Sequence, residues 1–157
     1  MNRQRYTCRA VWVRGILAIM ALACAAHGDV TGVESSAFDV TQYGAAGDGE
    51  TVSTAAIQQA IDACASSGGG TVFFPPGRYV TGTIYLKDNV RLHLDMSATI
   101  LGSANLVDYP VTRCEYASRS DSYTARALIW GERLRNVAIT GYGVIDGQGA
   151  LFRDNMA

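Results

Sequence analysis

Along the chain, apolar residues first recur at three- and four-residue steps and then at alternate positions. Ala56, Ile57, Ala60, Ile61, Cys64 and Ala65 fall on one face of a helix. Ser53 or Thr54 can accept a backbone N–H at its start, and Gly68-Gly69-Gly70 ends it. Upstream, Phe38-Asp39-Val40 reads as a short strand and Gly44 to Gly49 as a loop rich in Gly and Asp. Downstream the pattern is β. Thr71-Val72-Phe73-Phe74 runs into a Pro75-Pro76-Gly77 turn, and Tyr79-Val80 resumes. Val90, Leu92 and Leu94 alternate with Arg91, His93 and Asp95, which gives one dry face and one wet face. Ile100-Leu101, Leu128-Ile129-Trp130, Val137-Ala138-Ile139 and Val144-Ile145 follow as short strands, punctuated by Gly and Asn. A lone amphipathic helix ahead of so many strands needs something to cover, and capping the open end of a stacked sheet is the expected role.

A weak internal repeat sharpens this picture. Ile84-Tyr85, Asn89-Val90-Arg91-Leu92 and Ile100-Leu101-Gly102 form one unit. Ile129-Trp130, Asn136-Val137-Ala138-Ile139 and Ile145-Asp146-Gly147 form another, with the two Asn 47 residues apart. Such recurrence points to a solenoid, with room for two rungs of about 23 residues in that interval. The competing reading is an all-β sandwich, whose hairpins should carry Asn-Gly or Asp-Gly between paired strands. Only Asp48-Gly49 and Asp146-Gly147 qualify, and neither lies between two alternating strands. Residues 103–127 interrupt the rhythm with a polar loop bearing Tyr and Arg, which can border a binding groove or be inert.

The first 28 residues have a different character. Arg3, Arg5, Arg9 and Arg14 precede an apolar run from Gly15 to Ala26, and small residues follow at Ala23-Cys24-Ala25 and Ala26-His27-Gly28. This is the layout of a cleaved secretory signal. The run is shorter than the about 20 residues that span a bilayer. A lipid anchor at Cys24 is the rival reading, although the usual branched residue three positions earlier is missing, and an uncleaved anchor is another. All three place the remainder outside the cytoplasm. Taking those four cations from 13 Lys and Arg leaves 9 against 14 Asp and Glu, a net of −5. That argues against a nucleic-acid partner, which needs a basic stripe, but leaves room for a small basic cleft. Of the remaining cysteines, Cys64 reads as a buried helix residue, and its pairing with Cys114 is left open.

Phe38-Asp39-Val40-Thr41-Gln42-Tyr43-Gly44-Ala45 followed by Gly47-Asp48-Gly49 resembles the opening of the pectin-active β-helix superfamily. Ala55-Ala56-Ile57-Gln58-Gln59-Ala60-Ile61, Gly68-Gly69-Gly70-Thr71-Val72 and Phe74-Pro75-Pro76-Gly77-Arg78-Tyr79 continue the likeness. Thr81-Gly82-Thr83-Ile84-Tyr85-Leu86-Lys87 with Asn89-Val90, then Ala98-Thr99-Ile100-Leu101-Gly102-Ser103, is similar to the polygalacturonases of glycoside hydrolase family 28. So is Ile139-Thr140-Gly141-Tyr142-Gly143-Val144-Ile145-Asp146-Gly147-Gln148-Gly149. The resemblance implies an all-β fold: a right-handed single-stranded parallel β-helix with an N-terminal capping α-helix, of which only the first coils are present. Together with the signal-like start, it gives three expected segments: a signal peptide at 1–28, a mobile stretch at 29–37, and the N-terminal part of the β-helix domain at 38–157. One departure is local: relatives often place Asp just before the helix, where Thr51-Val52-Ser53-Thr54 stands here, and Ser or Thr caps equally well.

The larger departure concerns chemistry. The family's signatures are Asn-x-Asp, an Asp-Asp pair, His-Gly and Arg-x-Lys, beyond the Ile-Asp-Gly-Gln-Gly region. The first, second and fourth occur nowhere in the chain, and His27-Gly28 matches the third within the signal segment only. Glycoside hydrolysis needs two carboxyl groups flanking one bond, about 6.5–9.5 Å apart in inverting enzymes. Asp146 reads as a turn former, Asp95 as solvated, and Asp108, Glu115 and Asp121 as loop charges. His93 reads as an exposed strand residue rather than a base. Tyr109, Tyr116, Tyr123 and Tyr142 offer ring faces for a sugar, and Arg113, Arg119 and Arg126 offer guanidinium groups for uronate carboxylates. No catalytic, cofactor-binding or metal residue is assigned, and no cofactor is expected. The expected function is that of a secreted or periplasmic polygalacturonase-like hydrolase, a monomer when full length. Its catalytic residues would lie past this stretch, and its partner would be pectin-type polysaccharide or oligogalacturonide. A β-eliminating lyase or epimerase on the same scaffold, and a non-catalytic glycan-binding β-helix, are the alternatives.

Overall fold

The computed structural model describes residues 37–112 and 126–153. The signal-like segment 1–28, the stretch up to residue 36 and the Cys24 site lie outside the described residues. Strand β1 (Ala37–Asp39) is followed by a 3-10 turn at Val40–Tyr43, so the strand stops one residue before Val40. Gly44 closes that turn with φ at 93°. Strand β2 (Asp48–Val52) then begins inside the stretch expected to be loop. Its five residues carry almost no apolar alternation, and four of them are exposed, so periodicity had nothing to report. Helix α1 (Thr54–Ser66) buries Ile57, Ala60, Ile61 and Cys64, the face the spacing predicts. Cys64 is a free thiol whose pKa burial pushes up, and Cys114 lies outside the described residues.

The helix start differs from expectation. Ser53 makes no capping bond to the helix. Its hydroxyl instead accepts the Ala46 N–H at 3.0 Å, and Thr54 Oγ1 accepts the buried Gly82 N–H at 2.8 Å. Both residues therefore tie the helix sideways to neighbouring turns instead of closing its end. The C-terminal end behaves as read, with Gly68 and Gly69 at φ 95° and 110°.

From there the chain is β. It runs through β3 (Gly70–Phe74), β4 (Gly77–Thr81), β5 (Ile84–Tyr85), β6 (Val90–Leu94) and β7 (Ala98–Gly102). After the 103–127 loop come β8 (Ile129–Trp130), β9 (Ala138–Gly141), β10 (Val144–Asp146) and a short helix α2 (Ala150–Arg153). Among the described residues every pairing is parallel, in three sheets ordered β1-β3-β6-β9, β2-β4-β7-β10 and β5-β8. Successive strands belong to different sheets, so the chain winds as a right-handed parallel β-helix, and a sandwich is ruled out.

Identical positions stack coil upon coil. Phe38, Val72, Leu92 and Ile139 share one register, and Tyr79, Ile100 and Ile145 share another. The middle members of these columns have no solvent exposure, and burial of each such side chain is worth about 1.5–3 kcal/mol. Helix α1 packs against β1, β3, β5 and β6, closing one end of the interior. At the other end, inward-facing Ile139 and Ile145 remain 48% and 41% exposed. The coil count differs from expectation. Asn89 and Asn136, 47 residues apart, bond directly to each other, so one coil fills the interval where two were expected. The extra length is residues 103–127. No helix among the described residues is long and apolar enough to cross a membrane.

Candidate functional site

The most elaborate side-chain arrangement lies where the 103–127 loop leaves and rejoins the solenoid. Gly82 is required there, because a Cβ would stand 2.1 Å from the Asp108 carbonyl oxygen. That oxygen accepts the Thr83 N–H at 3.1 Å, and Thr83 Oγ1 donates to the Ala127 carbonyl at 2.6 Å. Both ends of the loop are thus pinned to one Gly-Thr corner. Within the loop, Asn105 accepts the Val107 N–H at 3.1 Å and starts a 3-10 turn at Leu106–Asp108. The Ser103 hydroxyl donates to the Asp108 carboxylate, and Tyr109 Oη donates to the Ser103 carbonyl at 2.8 Å.

Arg126 faces the same knot. Its Nη1 donates to the Leu106 carbonyl at 3.0 Å and to the Tyr109 carbonyl. The Tyr109 ring meets Phe152 of α2 edge to face at 5.9 Å, and a cavity of about 280 Å³ opens beside them, lined also by Leu106, Leu128 and Gly147. Burial, and after it the Asp108 charge, raises the Tyr109 phenol, so it stays protonated as a donor at neutral pH. The cavity is a mostly apolar recess with one guanidinium on its wall. It can hold a ring, but it carries no acid–base pair.

The residues singled out from the sequence scatter over this scaffold. Tyr109 is 6% exposed and packs the loop base, so its ring is not available for a sugar. Arg126 is committed to main-chain carbonyls, which explains its place at the loop's return. Tyr142 does present a free ring, 86% exposed. Asp146 accepts the Gln148 N–H at 2.9 Å, the turn former expected. Asp95 accepts the Met96 N–H at 2.7 Å, and His93 lies stacked on Phe73, its Nδ1 3.1 Å from Thr140 Oγ1. Arg113, Glu115, Tyr116, Arg119, Asp121 and Tyr123 lie outside the described residues.

The described aspartates are each held by partners within the fold. Asp48 accepts from the Thr51 hydroxyl at 2.7 Å and from the Glu50 and Thr51 N–H groups at 2.9 Å. Those donors, the hydroxyl foremost, hold its pKa at about 2 instead of 3.8. Asp62 pairs with Lys87 at 2.8 Å, which lowers its pKa. Asp88 accepts the Arg135 N–H at 2.6 Å. Among the described residues no three His, Cys, Asp or Glu gather as a metal site. Sequence reasoning missed Leu106, Leu128 and Phe152 as parts of the recess. Their partners come together only once the loop is closed, and no local spacing reports that.

Comparison with known proteins gives this scaffold its relatives. Residues 37–150 match the family described as rhamnogalacturonase A/epimerase, pectate lyase-like. The exo-poly-α-D-galacturonosidase of Dickeya chrysanthemi is 40% identical over 119 residues, covering 71% of this chain and 19% of that protein. A polygalacturonase of Vitis vinifera is 32% identical over 160 positions, covering 97% of this chain and 31% of that protein. The crystal structure of a family 28 exopolygalacturonase from Yersinia enterocolitica superposes with a TM-score of 0.63 at 38% identity, over 73% of this chain and 21% of that one. The chain thus spans less than a third of the length of these relatives.

Proposed function

The chain belongs to the rhamnogalacturonase A/epimerase, pectate lyase-like family, and from that premise we propose that it forms the N-terminal coils of a polygalacturonase-like glycoside hydrolase acting on pectin-type polysaccharide. The reaction adds water across an α-linked galacturonic acid bond: one carboxylic acid protonates the leaving oxygen and a second carboxylate activates the water from the opposite face.

The observation that carries this reading is what the motif residues do here. Gly141 and Gly143, in the stretch most similar to the polygalacturonases, are packing positions. A Cβ on either would stand 1.9 Å from the Leu94 carbonyl oxygen or 2.5 Å from that of Ala98. Asp146 makes a turn. The motif therefore builds a coil, and the described aspartates are each occupied by partners within the scaffold. This supports placing the acid and base on coils that follow Ala157. The signal-like first segment supports export as part of the same reading.

The test is to sequence the transcript past the Ala157 codon and assay the full product on polygalacturonate. The expected result is a frame that continues into the four catalytic signatures and a product that gains reducing ends, first released as the inverted anomer by NMR. The family's own description includes epimerases, so two other outcomes carry meaning. An unsaturated uronate product would replace the hydrolase by a lyase. A changed uronate composition without chain cleavage would replace it by an epimerase. A stop codon directly after Ala157 would remove the enzyme reading.

A further inference from the structure

The outer face of the sheet β1-β3-β6-β9 carries a second feature. Its outward rows run Ala37, Thr71, Arg91, Ala138 and Asp39, Phe73, His93, Thr140. In the first row Arg91 rises between small neighbours, and a groove of about 190 Å³ opens around it, lined by Gly70, Thr71, Asn89, Arg91, Asn136 and Ala138. The lining holds one cation, two amides and a hydroxyl, and no carboxylate. The Arg91 guanidinium is exposed and has no hydrogen-bond or ion-pair partner among the described residues.

Asn136 Nδ2 donates to Asn89 Oδ1 at 3.2 Å, which couples the two amides at the rim and leaves Asn136 Oδ1 and Asn89 Nδ2 for a ligand. In the next outward row, Phe73 stacks on His93 at 5.9 Å and 18°. The acidic groups nearby are engaged: Asp88 accepts the Arg135 N–H, and Asp39 accepts from Thr41. The groove falls below the about 300–1,000 Å³ of drug-sized pockets, which suits a single ring. An unpaired guanidinium selects a planar carboxylate, which it can grip with two parallel bonds, and the amides suit ring hydroxyls.

We propose that this groove binds one uronic acid residue of an acidic polysaccharide, its carboxylate on Arg91 and its hydroxyls on Asn89 and Asn136. The ligand class rests on the pectin reading above. The test is a titration of the full gene product with D-galacturonate, followed through the Arg91 Nε–H and Asn136 Nδ2–H₂ NMR signals. D-Galactose, which lacks only the carboxylate, and acetate, which lacks the ring, serve as controls. Galacturonate should shift both signals saturably, with galactose and acetate far weaker. Arg91→Ala should weaken binding about tenfold or more, the scale of a charge-assisted pair. Ala138→Glu, which sets a carboxylate in the groove and leaves Arg91 in place, should do the same. Silent Arg91 signals, or a galactose response equal to that of galacturonate, would overturn the site; an acetate response equal to it would overturn the assignment to a sugar. Hydrolysis measured on the same sample separates the two claims. Cleavage with a silent Arg91 removes the groove alone, whereas an Arg91-dependent galacturonate response without cleavage removes the hydrolase alone.

Discussion

Asn89 and Asn136 show what a single residue type contributes to this fold. Both sit in the left-handed region, at φ 61° and 55°, in the turn that leads from one sheet into the next. One coil earlier, Gly69 occupies the neighbouring turn at φ 110°, where a Cβ would meet the Asn89 Cβ at 2.5 Å. Asparagine tolerates this backbone because its short amide can bond locally, and stacked here it bonds to the next coil as well. Replacing Asn89 by Ala should cost about 1–2 kcal/mol of local stability from the backbone conformation, and Gly should cost less because it adopts positive φ freely. Amide exchange at Gly70, whose N–H is held by the Asn89 carbonyl at 3.0 Å, is the readout in the full gene product. An Ala variant that exchanges no faster than the Gly variant would contradict this account. The sequence marked both Asn as landmarks of a repeat. That they touch was not legible, because the spacing alone is equally compatible with one long coil or two short ones.

At the scale of elements, the strands with clean alternation were the legible ones. Val90, Leu92 and Leu94 are buried as their pattern requires, and so are the helix positions Ile57, Ala60, Ile61 and Cys64. Strand β2 was not legible, because it lies at a sheet edge, pairs only with β4 and exposes most of its residues. The helix start was half legible. Ser and Thr before an apolar periodic run mark the boundary correctly, but their hydroxyls are taken by partners elsewhere in the chain, which no local rule detects. Thr54 matters most here, since the Gly82 N–H it accepts is buried. Thr54→Val should therefore cost about 1–3 kcal/mol by leaving that N–H without its acceptor, whereas Thr54→Ser should be nearly neutral. Gly82 amide exchange in the two variants checks it. Equal protection in both would mean that the helix is held by its apolar face alone.

For the whole molecule, the governing fact is that a solenoid satisfies each coil only through its neighbours. The step from Thr71 to Arg91 is one short coil, and the step from Arg91 to Ala138 is also one coil, swollen by the 103–127 loop. The fold class was legible because stacked strands repeat the same apolar register. The recess at the loop base was not, because Tyr109, Arg126 and Phe152 are far apart in sequence and the pinned corner at Gly82 and Thr83 helps bring them together. The same stacking logic bears on the far end. Helix α1 covers the first coils, whereas β9 and β10 present inward-facing Ile139 and Ile145 and strand edges with no further strand beyond them in their sheets among the described residues. Exposed edges beside an apolar face invite pairing with another chain. Residues 29–157 expressed alone should therefore self-associate, with a sedimentation coefficient that rises with concentration and with binding of a hydrophobic dye. Ile139→Lys together with Ile145→Lys places charges on that face and should shift the population toward monomer, because an inward-pointing charge must be desolvated for another strand to dock. A wild-type segment that stays monomeric at every concentration and melts in one sharp transition would show that this end is stable uncovered. Self-association that the two lysines leave unchanged would place the contact elsewhere on the molecule.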